Sequence, residues 1–211
     1  MRWDWLADNG DKIQRYLTQH VRITLVSLLL GLLVALPLGI VGHRVRRSYP
    51  VILVITSVIY SIPSIALFVF LIPSLGLNDR PVIVGLAAYT LVILVRNIVE
   101  GLRAVPEPVR EAASAMGYGD LRRLFQVEFP LALPAIVAGL RVAAVSTISL
   151  VSVGALVGSG GLGQLFTEGQ QIDNPIETWA GVVLTVLLAL ALDVIIVVGA
   201  RLAAPWTRAA R

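Results

Sequence analysis

The stretch Glu111-Ala-Ala-Ser-Ala-Met-Gly117, followed by Val127-Glu-Phe-Pro130, decides the fold of this chain. It is a polar interruption between two apolar runs, each long enough to cross a membrane. Pro106 and Pro108 end the segment that precedes it, and Pro108 suits the first turn of a new helix. The interruption is therefore expected to form its own helical structure outside the bilayer.

The residues around Gly117 predict two short helices joined by an elbow. A narrow apolar stripe at helical spacing is formed by Val109, Ala112, Ala113 and Met116. Gly117 and Gly119 can take positive φ and stop this first helix. Asp120 is a good N-cap for a second helix, on which Arg122 and Arg123 lie away from the apolar side. We expect the whole segment to fold as a rigid knob.

The composition is that of an integral membrane protein. Of the 211 residues, 57% are hydrophobic and 14% are charged, whereas a soluble domain carries about 25% charged residues. The chain contains no cysteine, which excludes disulfides, thiolate metal sites and a cysteine nucleophile. A net charge of +4 could indicate nucleic acid, but the arginines cluster at the ends of apolar runs. We therefore expect no nucleic-acid partner and interpret the arginines as a topology signal.

Five apolar runs are close to the roughly 20 residues that a membrane-spanning helix needs. They cover residues 21–42, 51–73, 81–99, 135–157 and 178–200. Pro37 and Pro63 are expected to kink the first two spans. Residues 1–20 predict an amphipathic helix lying at the extracytoplasmic interface, residues 21–200 a single membrane domain, and residues 201–211 a cytoplasmic tail. The predicted fold class is an all-α membrane protein in a lipid bilayer.

The distribution of basic residues predicts the orientation, because cytoplasmic loops carry an excess of lysine and arginine. If residues 100–134 are cytoplasmic, that side holds Arg44, Arg46, Arg47, Arg96, Arg103, Arg110, Arg122, Arg123, Arg201, Arg208 and Arg211. The outer side then holds only Arg2, Lys12, Arg15, Arg22 and Arg80. We therefore expect the N-terminus outside and the C-terminus in the cytoplasm.

Two patterns suggest nucleotide or metal chemistry, and neither has the required context. A G-x-G-x-x-G pattern is formed by Gly158, Gly160, Gly161 and Gly163. It follows an apolar helix and not a strand, so we expect a tight, close-packed turn leading into an outer loop. The single lysine, Lys12, is not in a P-loop, so this chain cannot hydrolyse ATP by the P-loop route, and any ATP and Mg²⁺ that drive it would bind to another polypeptide. His20 and His43 are expected to be interfacial, and we find no metal site and no catalytic constellation.

Two ionisable residues, Arg141 and Asp193, fall inside predicted spans. They have opposite charges and lie at matched depth on spans that are consecutive in the sequence. Ser149 and Ser152 lie roughly along the same face as Arg141. Each charge could reach the headgroups independently, or the two could share an ion pair in an intramembrane polar network, because intramembrane charges usually find a partner.

Further short motifs occur on both sides of the Glu111–Gly117 stretch. They are Leu36-Pro-Leu-Gly39, Ser61-Ile-Pro-Ser64, Arg96-Asn97, Leu131-Ala-Leu-Pro134 and Gly139-Leu-Arg141. With the Glu111–Gly117 stretch and the glycine turn, they resemble the permeases of osmoprotectant ABC importers over about residues 20–200. That family takes up quaternary ammonium compounds such as glycine betaine, choline and carnitine. The resemblance implies a MetI-like core of five helices in a bacterial cell membrane.

The resemblance also implies a role for residues 100–134, which we name the docking loop. In the family this loop contacts the ATPase, which here implicates Glu111, Ala112, Ala113, Gly117, Gly119, Asp120, Arg122 and Arg123. The implied partners are ABC ATPase subunits, a second permease copy or a paralogue, and an extracytoplasmic substrate-binding protein, with no cofactor in this chain. Two alternatives are a permease for another small solute such as methionine, and a secondary transporter or channel. Five spans without an inverted repeat disfavour the latter.

Overall fold

Helices account for the fold of residues 4–203, the part of the chain that our computed structural model describes. The α-helices are α1 (Asp4–Asp8), α2 (Gly10–Arg44), α3 (Ser48–Ser61), α4 (Ser64–Leu75), α5 (Arg80–Arg103), α6 (Glu107–Ala115), α7 (Asp120–Arg123), α8 (Phe129–Val153), α9 (Gly163–Gln171) and α10 (Pro175–Ala203). A π-helical segment, Leu124–Glu128, joins α7 to α8, and a 3₁₀ turn, Gly154–Val157, follows α8. No strand occurs in residues 4–203.

Within residues 4–203, four helical stretches are long and apolar enough to cross a membrane: α2, α5, the continuous stretch Asp120–Val157, and α10. The predicted span 51–73 differs from this pattern, because the chain breaks into α3 and α4 with a bend of 93°. Pro63 lacks an N–H and forces the preceding residue, Ile62, into an extended conformation with ψ 132°. The expected kink is thus a full break, and the number of spans is five if the bent pair counts as one.

The N-terminal prediction is wrong in one respect, because residues 10–20 do not form a separate helix from the first span. Helix α2 has 35 residues and continues through Pro37, which gives a length of about 52 Å. Its first turns extend beyond a hydrocarbon core of about 30 Å. Lys12 and Tyr16 find carboxylate partners on other protein segments, so this part packs against protein. Residues 1–3 and 204–211 of the predicted termini lie outside the described residues.

Helix α5 forms the centre of the bundle. Its side chains Leu94, Ile98 and Leu102 are completely buried. Small residues on both neighbours allow the close packing: a Cβ at Gly39 of α2 would lie 2.5 Å from Ile98, and one at Gly139 of α8 would lie 2.5 Å from Asn97. By contrast, α10 packs mainly on α8 and α9, and nearly all of its side chains are exposed or only half-buried.

The bundle has two chemically distinct ends. At one, the docking end, the C-termini of α2 and α5 meet the docking loop, since Arg103 bonds to the Gly42 carbonyl and Arg44 to the Asp120 carbonyl. At the opposite end, the first turns of α2 meet the α4–α5 turn, the glycine turn and α9. The structure therefore places at the docking end the arginine-rich segments that the sequence analysis assigned to the cytoplasmic side.

Candidate functional site

A glycine elbow shapes the docking loop. Helix α6 follows the extended residue Pro106 and ends at Ala115, with Met116 as its C-cap. Gly117 has φ +83°, which L side chains rarely adopt. The Gly117 N–H donates to the Ser114 carbonyl, and the Tyr118 N–H donates to the Ala113 carbonyl. These two bonds satisfy carbonyls at the end of α6 and fix the turn into α7.

The second half of the docking loop differs from the prediction at Gly119 and Asp120. Gly119 has φ −67° and ψ 161°, so it is extended and needs no positive φ. Asp120 is the first residue of α7 and does not cap it, although a carboxylate in the first turn still suits the helix dipole. Helix α7 is not a separate short helix, because Leu124–Glu128 carries it directly into α8. A force on α7 therefore acts on a membrane span without an intervening flexible joint.

The tip of the docking loop exposes large apolar side chains. We name Val109, Met116, Leu121 and Phe125 the docking patch; their exposed fractions are 36%, 71%, 63% and 56%. Such a cluster on a polar loop indicates a surface that binds another protein. Among the predicted residues, Glu111 and Ala112 are also exposed, whereas Ala113 points inward and is buried. Arg122 is exposed and lies over the Tyr118 ring at 4.6 Å.

A buried carboxylate, Glu128, holds the docking loop on the bundle. Its side chain is 4% exposed and accepts a hydrogen bond from Arg123 Nε at 2.9 Å. The other carboxylate oxygen lies 3.2 Å from His43 Nε2 and 3.8 Å from Arg110 Nε. These four side chains, the Glu128 hub, come from α2, α6, α7 and the π-helical segment. Arg123 also donates to the Ser114 hydroxyl at 2.8 Å, which ties α7 to α6.

Sequence reasoning missed three members of the Glu128 hub and included only Arg123. The available signal was Glu128 itself, a lone carboxylate between Val127 and Phe129 at the start of a span. Buried charges are usually paired, so a buried carboxylate at this position predicts a partner among the arginines of the loop. The hub lines a cavity of about 970 Å³.

The structure brings together the two intramembrane charges. Arg141 Nε and Nη2 donate to the two carboxylate oxygens of Asp193 at 2.7 and 2.9 Å. The pair lies well inside α8 and α10, and the side chains are 45% and 26% exposed on the outer surface of the bundle. Ser149 lines the same surface groove, while the buried Ser152 hydroxyl has no hydrogen-bond partner in the described chain. The two serines are therefore not hydrogen-bonded members of this pair.

The glycine turn at the opposite end packs on a buried histidine. His20 Nδ1 accepts from the Leu162 N–H at 3.2 Å, and Nε2 lies 3.1 Å from the Ile148 carbonyl. This pattern assigns the Nε2–H tautomer. Gly161 has φ +51°, and a Cβ there would lie 2.6 Å from His20 Cβ. The expectation that His20 is interfacial is wrong, because protein buries it completely. Residues 4–203 contain no cluster that could hold a metal ion.

Asp79 joins three segments at the opposite end. It accepts hydrogen bonds from Ser159, Gln19 and Arg22. Burial alone would raise the pKa of the Asp79 carboxyl, but these bonds outweigh burial and hold that pKa below its ordinary value. The carboxylate is therefore ionised at neutral pH and fastens the start of α2 to the α4–α5 turn.

A second ionic cluster fixes α9 to α2. Lys12 Nζ lies 2.7 Å from Glu168 and 2.5 Å from Glu177. Burial would raise the pKa of Glu168, but hydrogen bonds from Lys12 and Tyr16 hold it below its ordinary value. These contacts explain why the N-terminal turns of α2 pack against α9 and the start of α10.

A bundle of membrane-length apolar helices that exposes an apolar patch on a loop at one end indicates the membrane component of a larger protein assembly. The chain belongs to the family described as binding-protein-dependent transport system inner membrane component, which matches residues 27–209. It is 32% identical to the choline transport system permease protein OpuBB of Bacillus subtilis (strain 168), over 95% of this chain and 93% of that protein. It is 33% identical to the glycine betaine/carnitine/choline transport system permease protein OpuCD of the same organism, over 90% and 84%.

A solved structure shares the fold. A chain of the MetNI methionine ABC transporter, in an inward-facing conformation, superposes with a TM-score of 0.79 at 25% sequence identity. The match covers 90% of this chain and 94% of that chain. The resemblance inferred from the motifs and the all-α MetI-like fold are thus both confirmed. The chain is a permease subunit of an ABC transporter.

Proposed function

We propose that this chain is the membrane subunit of an ATP-driven importer for quaternary ammonium osmoprotectants such as glycine betaine, choline or carnitine. The observation that carries the mechanism is the docking patch, which the Gly117 elbow and the Glu128 hub hold rigidly at one end of the bundle. The names of the relatives support the substrate class, since they transport choline, glycine betaine or carnitine.

The proposed assembly has three kinds of partner. ABC ATPase subunits, which carry ATP and Mg²⁺, bind the docking patch from the cytoplasm. A second permease, either another copy or a paralogue, lies beside this chain in the bilayer of the bacterial cell membrane. An extracytoplasmic binding protein delivers the solute to the opposite end. In this arrangement the N-terminus lies outside, the C-terminus lies in the cytoplasm, and this chain itself needs no cofactor.

The continuity of α7 with α8 supports a mechanical route for coupling. ATP binding draws the ATPase dimer together, and the docking patch moves with it. Because the π-helical segment leads directly into α8, the movement tilts that span and those packed on it. The path between the two permeases then opens outward, and hydrolysis resets it. The coupling free energy comes from contacts that differ between the two states.

Uptake by the reconstituted importer tests this proposal. The tagged chain is purified from its native host, the co-purifying chains are identified, and the assembly is placed in liposomes with ATP inside. Radiolabelled glycine betaine, choline, carnitine and methionine are compared as solutes, because the fold likeness to a methionine transporter makes methionine the specific alternative. ATP-dependent uptake of a quaternary ammonium solute supports the proposal. Uptake of methionine alone contradicts it.

A further inference from the structure

The Arg141–Asp193 pair lies in a groove that the proposed coupling does not use. The groove has a volume of about 770 Å³ and runs along the outer surfaces of α8 and α10. Exposed apolar side chains, among them Val142, Val186 and Leu190, form much of its lining. Thr185 also lines it, and its buried hydroxyl has no hydrogen-bond partner in the described chain. An apolar groove of this size with few converging polar groups is typical of small-molecule sites.

The exposure of the pair indicates what it faces. Charged residues within membrane spans face either the interior of a bundle or a water-filled cavity. Arg141 and Asp193 do not face the interior of this bundle, because their side chains are 45% and 26% exposed on its surface. Facing hydrocarbon would leave both charges poorly solvated. The aqueous path between this permease and its proposed partner would solvate both charges, so we place the groove on that path.

The geometry points to a solute that carries both charges. Arg141 presents a planar fork that matches a carboxylate, and Asp193 supplies a fixed negative charge beside it. We infer that this groove transiently binds a zwitterion, with the solute's carboxylate on Arg141 and its quaternary ammonium group beside Asp193. The apolar walls accept the methyl groups. The inference rests on the proposed function and adds to it a transient binding site for the solute within the membrane.

The composition of the groove suits passage and not retention. No aromatic residue of the described chain lines it, so it lacks the ring cage that holds quaternary ammonium ions tightly. The solute must also compete with the existing contact between Arg141 and Asp193. Both features make binding weak, as a transport path requires. A purely structural ion pair would stabilise α8 on α10 without distinguishing between solutes.

The test compares two solutes that share a cation and differ in the carboxylate. The complete importer carrying Arg141→Gln is reconstituted, and ATP-driven uptake of labelled glycine betaine and choline is measured in the same preparation. The ratio of the two rates is independent of how much complex assembles. We expect this ratio to fall about tenfold, because choline has no carboxylate to lose its partner. An equal fall for both solutes, or no change, overturns the inference.

A matched control and a second readout sharpen the test. Arg96→Gln removes an exposed arginine that also pairs with a carboxylate, Glu100, at 2.9 Å but away from the groove. It should leave the ratio unchanged. Arg141→Gln leaves Asp193 without its partner and should lower membrane abundance. The double variant Arg141→Gln/Asp193→Asn should recover abundance without recovering glycine betaine uptake. Recovery of both overturns the inference, because it identifies a structural pair.

A competition assay without the extracytoplasmic substrate-binding protein tests the inference even if the importer transports only one solute. Labelled glycine betaine is equilibrated with the purified permease–ATPase complex, and unlabelled carnitine or choline competes. Carnitine should compete about tenfold better than choline in the wild type, and Arg141→Gln should abolish this difference. An equal potency of both competitors in the wild type overturns the inference. Failure of the wild type to transport any quaternary ammonium solute instead contradicts the proposed function.

Discussion

Replacing Glu128 by glutamine tests how the docking loop is held. The variant keeps the shape of the side chain but removes the charge that Arg123, His43 and Arg110 share. Breaking a fully buried pair costs about 3–5 kcal/mol. Because the side chains of Arg110 and Arg123 are 19% and 26% exposed, water compensates part of the loss, and we expect about 2–3 kcal/mol.

This loss of free energy should weaken the attachment of the docking loop to the bundle more than it destabilises the whole fold. Glu128 lies at the start of α8, and its partners lie at the docking end of the bundle. A loss of 2–3 kcal/mol corresponds to roughly a 30- to 150-fold shift toward a detached loop. Membrane insertion should be normal, whereas ATPase association and uptake should fall strongly. The assay measures membrane abundance by immunoblot, ATPase association by co-purification, and uptake of labelled solute.

A matched control separates the Glu128 hub from the general effect of losing a carboxylate. Glu107→Gln removes a second partner of Arg110, which lies 3.3 Å away, but the Glu107 side chain is 68% exposed. Exposed pairs contribute about 0–1 kcal/mol, so this variant should behave as the wild type. If Glu128→Gln retains wild-type ATPase association and uptake, the reasoning about the hub is refuted.

Three further predictions concern other parts of the chain. Gly117→Val should abolish uptake at normal membrane abundance, because φ +83° is an outlier for a β-branched residue; Gly119→Val, at φ −67°, should cost far less. In intact cells a membrane-impermeant thiol reagent should label Gln171→Cys and not Arg47→Cys, and the reverse pattern would invert the orientation. Thermal melting of the purified chain should fall below about pH 4, where protonation of Asp79 removes stability that its lowered pKa provides at higher pH. Asp79→Asn should have a lower melting temperature than wild type at pH 7, and this difference should shrink as the pH falls below about 4. A difference that does not change with pH would contradict this.

Features with local causes could be predicted from the sequence. Gly117 ends α6 as expected, because a helix stop depends on the few residues around it. Pro63 marked the break between α3 and α4, although the 93° angle depends on packing that no local pattern encodes. For Arg141 and Asp193, matched depth on consecutive spans left an ion pair and separate headgroup contacts as alternatives, and the structure contains the ion pair.

Features that depend on distant partners could not be predicted. The sequence of residues 1–20 by itself predicts an interfacial helix, whereas contacts with distant residues, such as those of Lys12 with Glu168 and Glu177, hold residues 10–20 against the bundle. The Glu128 hub likewise joins side chains from His43 to Glu128, whose proximity follows from the packing of α2 against the start of α8. Gly119 and Asp120 were misassigned because both are common in turns, and their exact positions depend on where α7 begins.

Photocrosslinking from the docking patch tests the central claim most directly. A photoreactive amino acid replaces Met116, which is 71% exposed at the tip, and in a second variant it replaces the exposed Gln171 at the opposite end. Membranes from the native host are irradiated, and the crosslinked chains are identified by mass spectrometry. We expect position 116 to capture a P-loop ATPase and position 171 to capture none. Failure of position 116 to capture an ATPase, or equal capture from both positions, would contradict the assignment of this loop as the ATPase-binding surface.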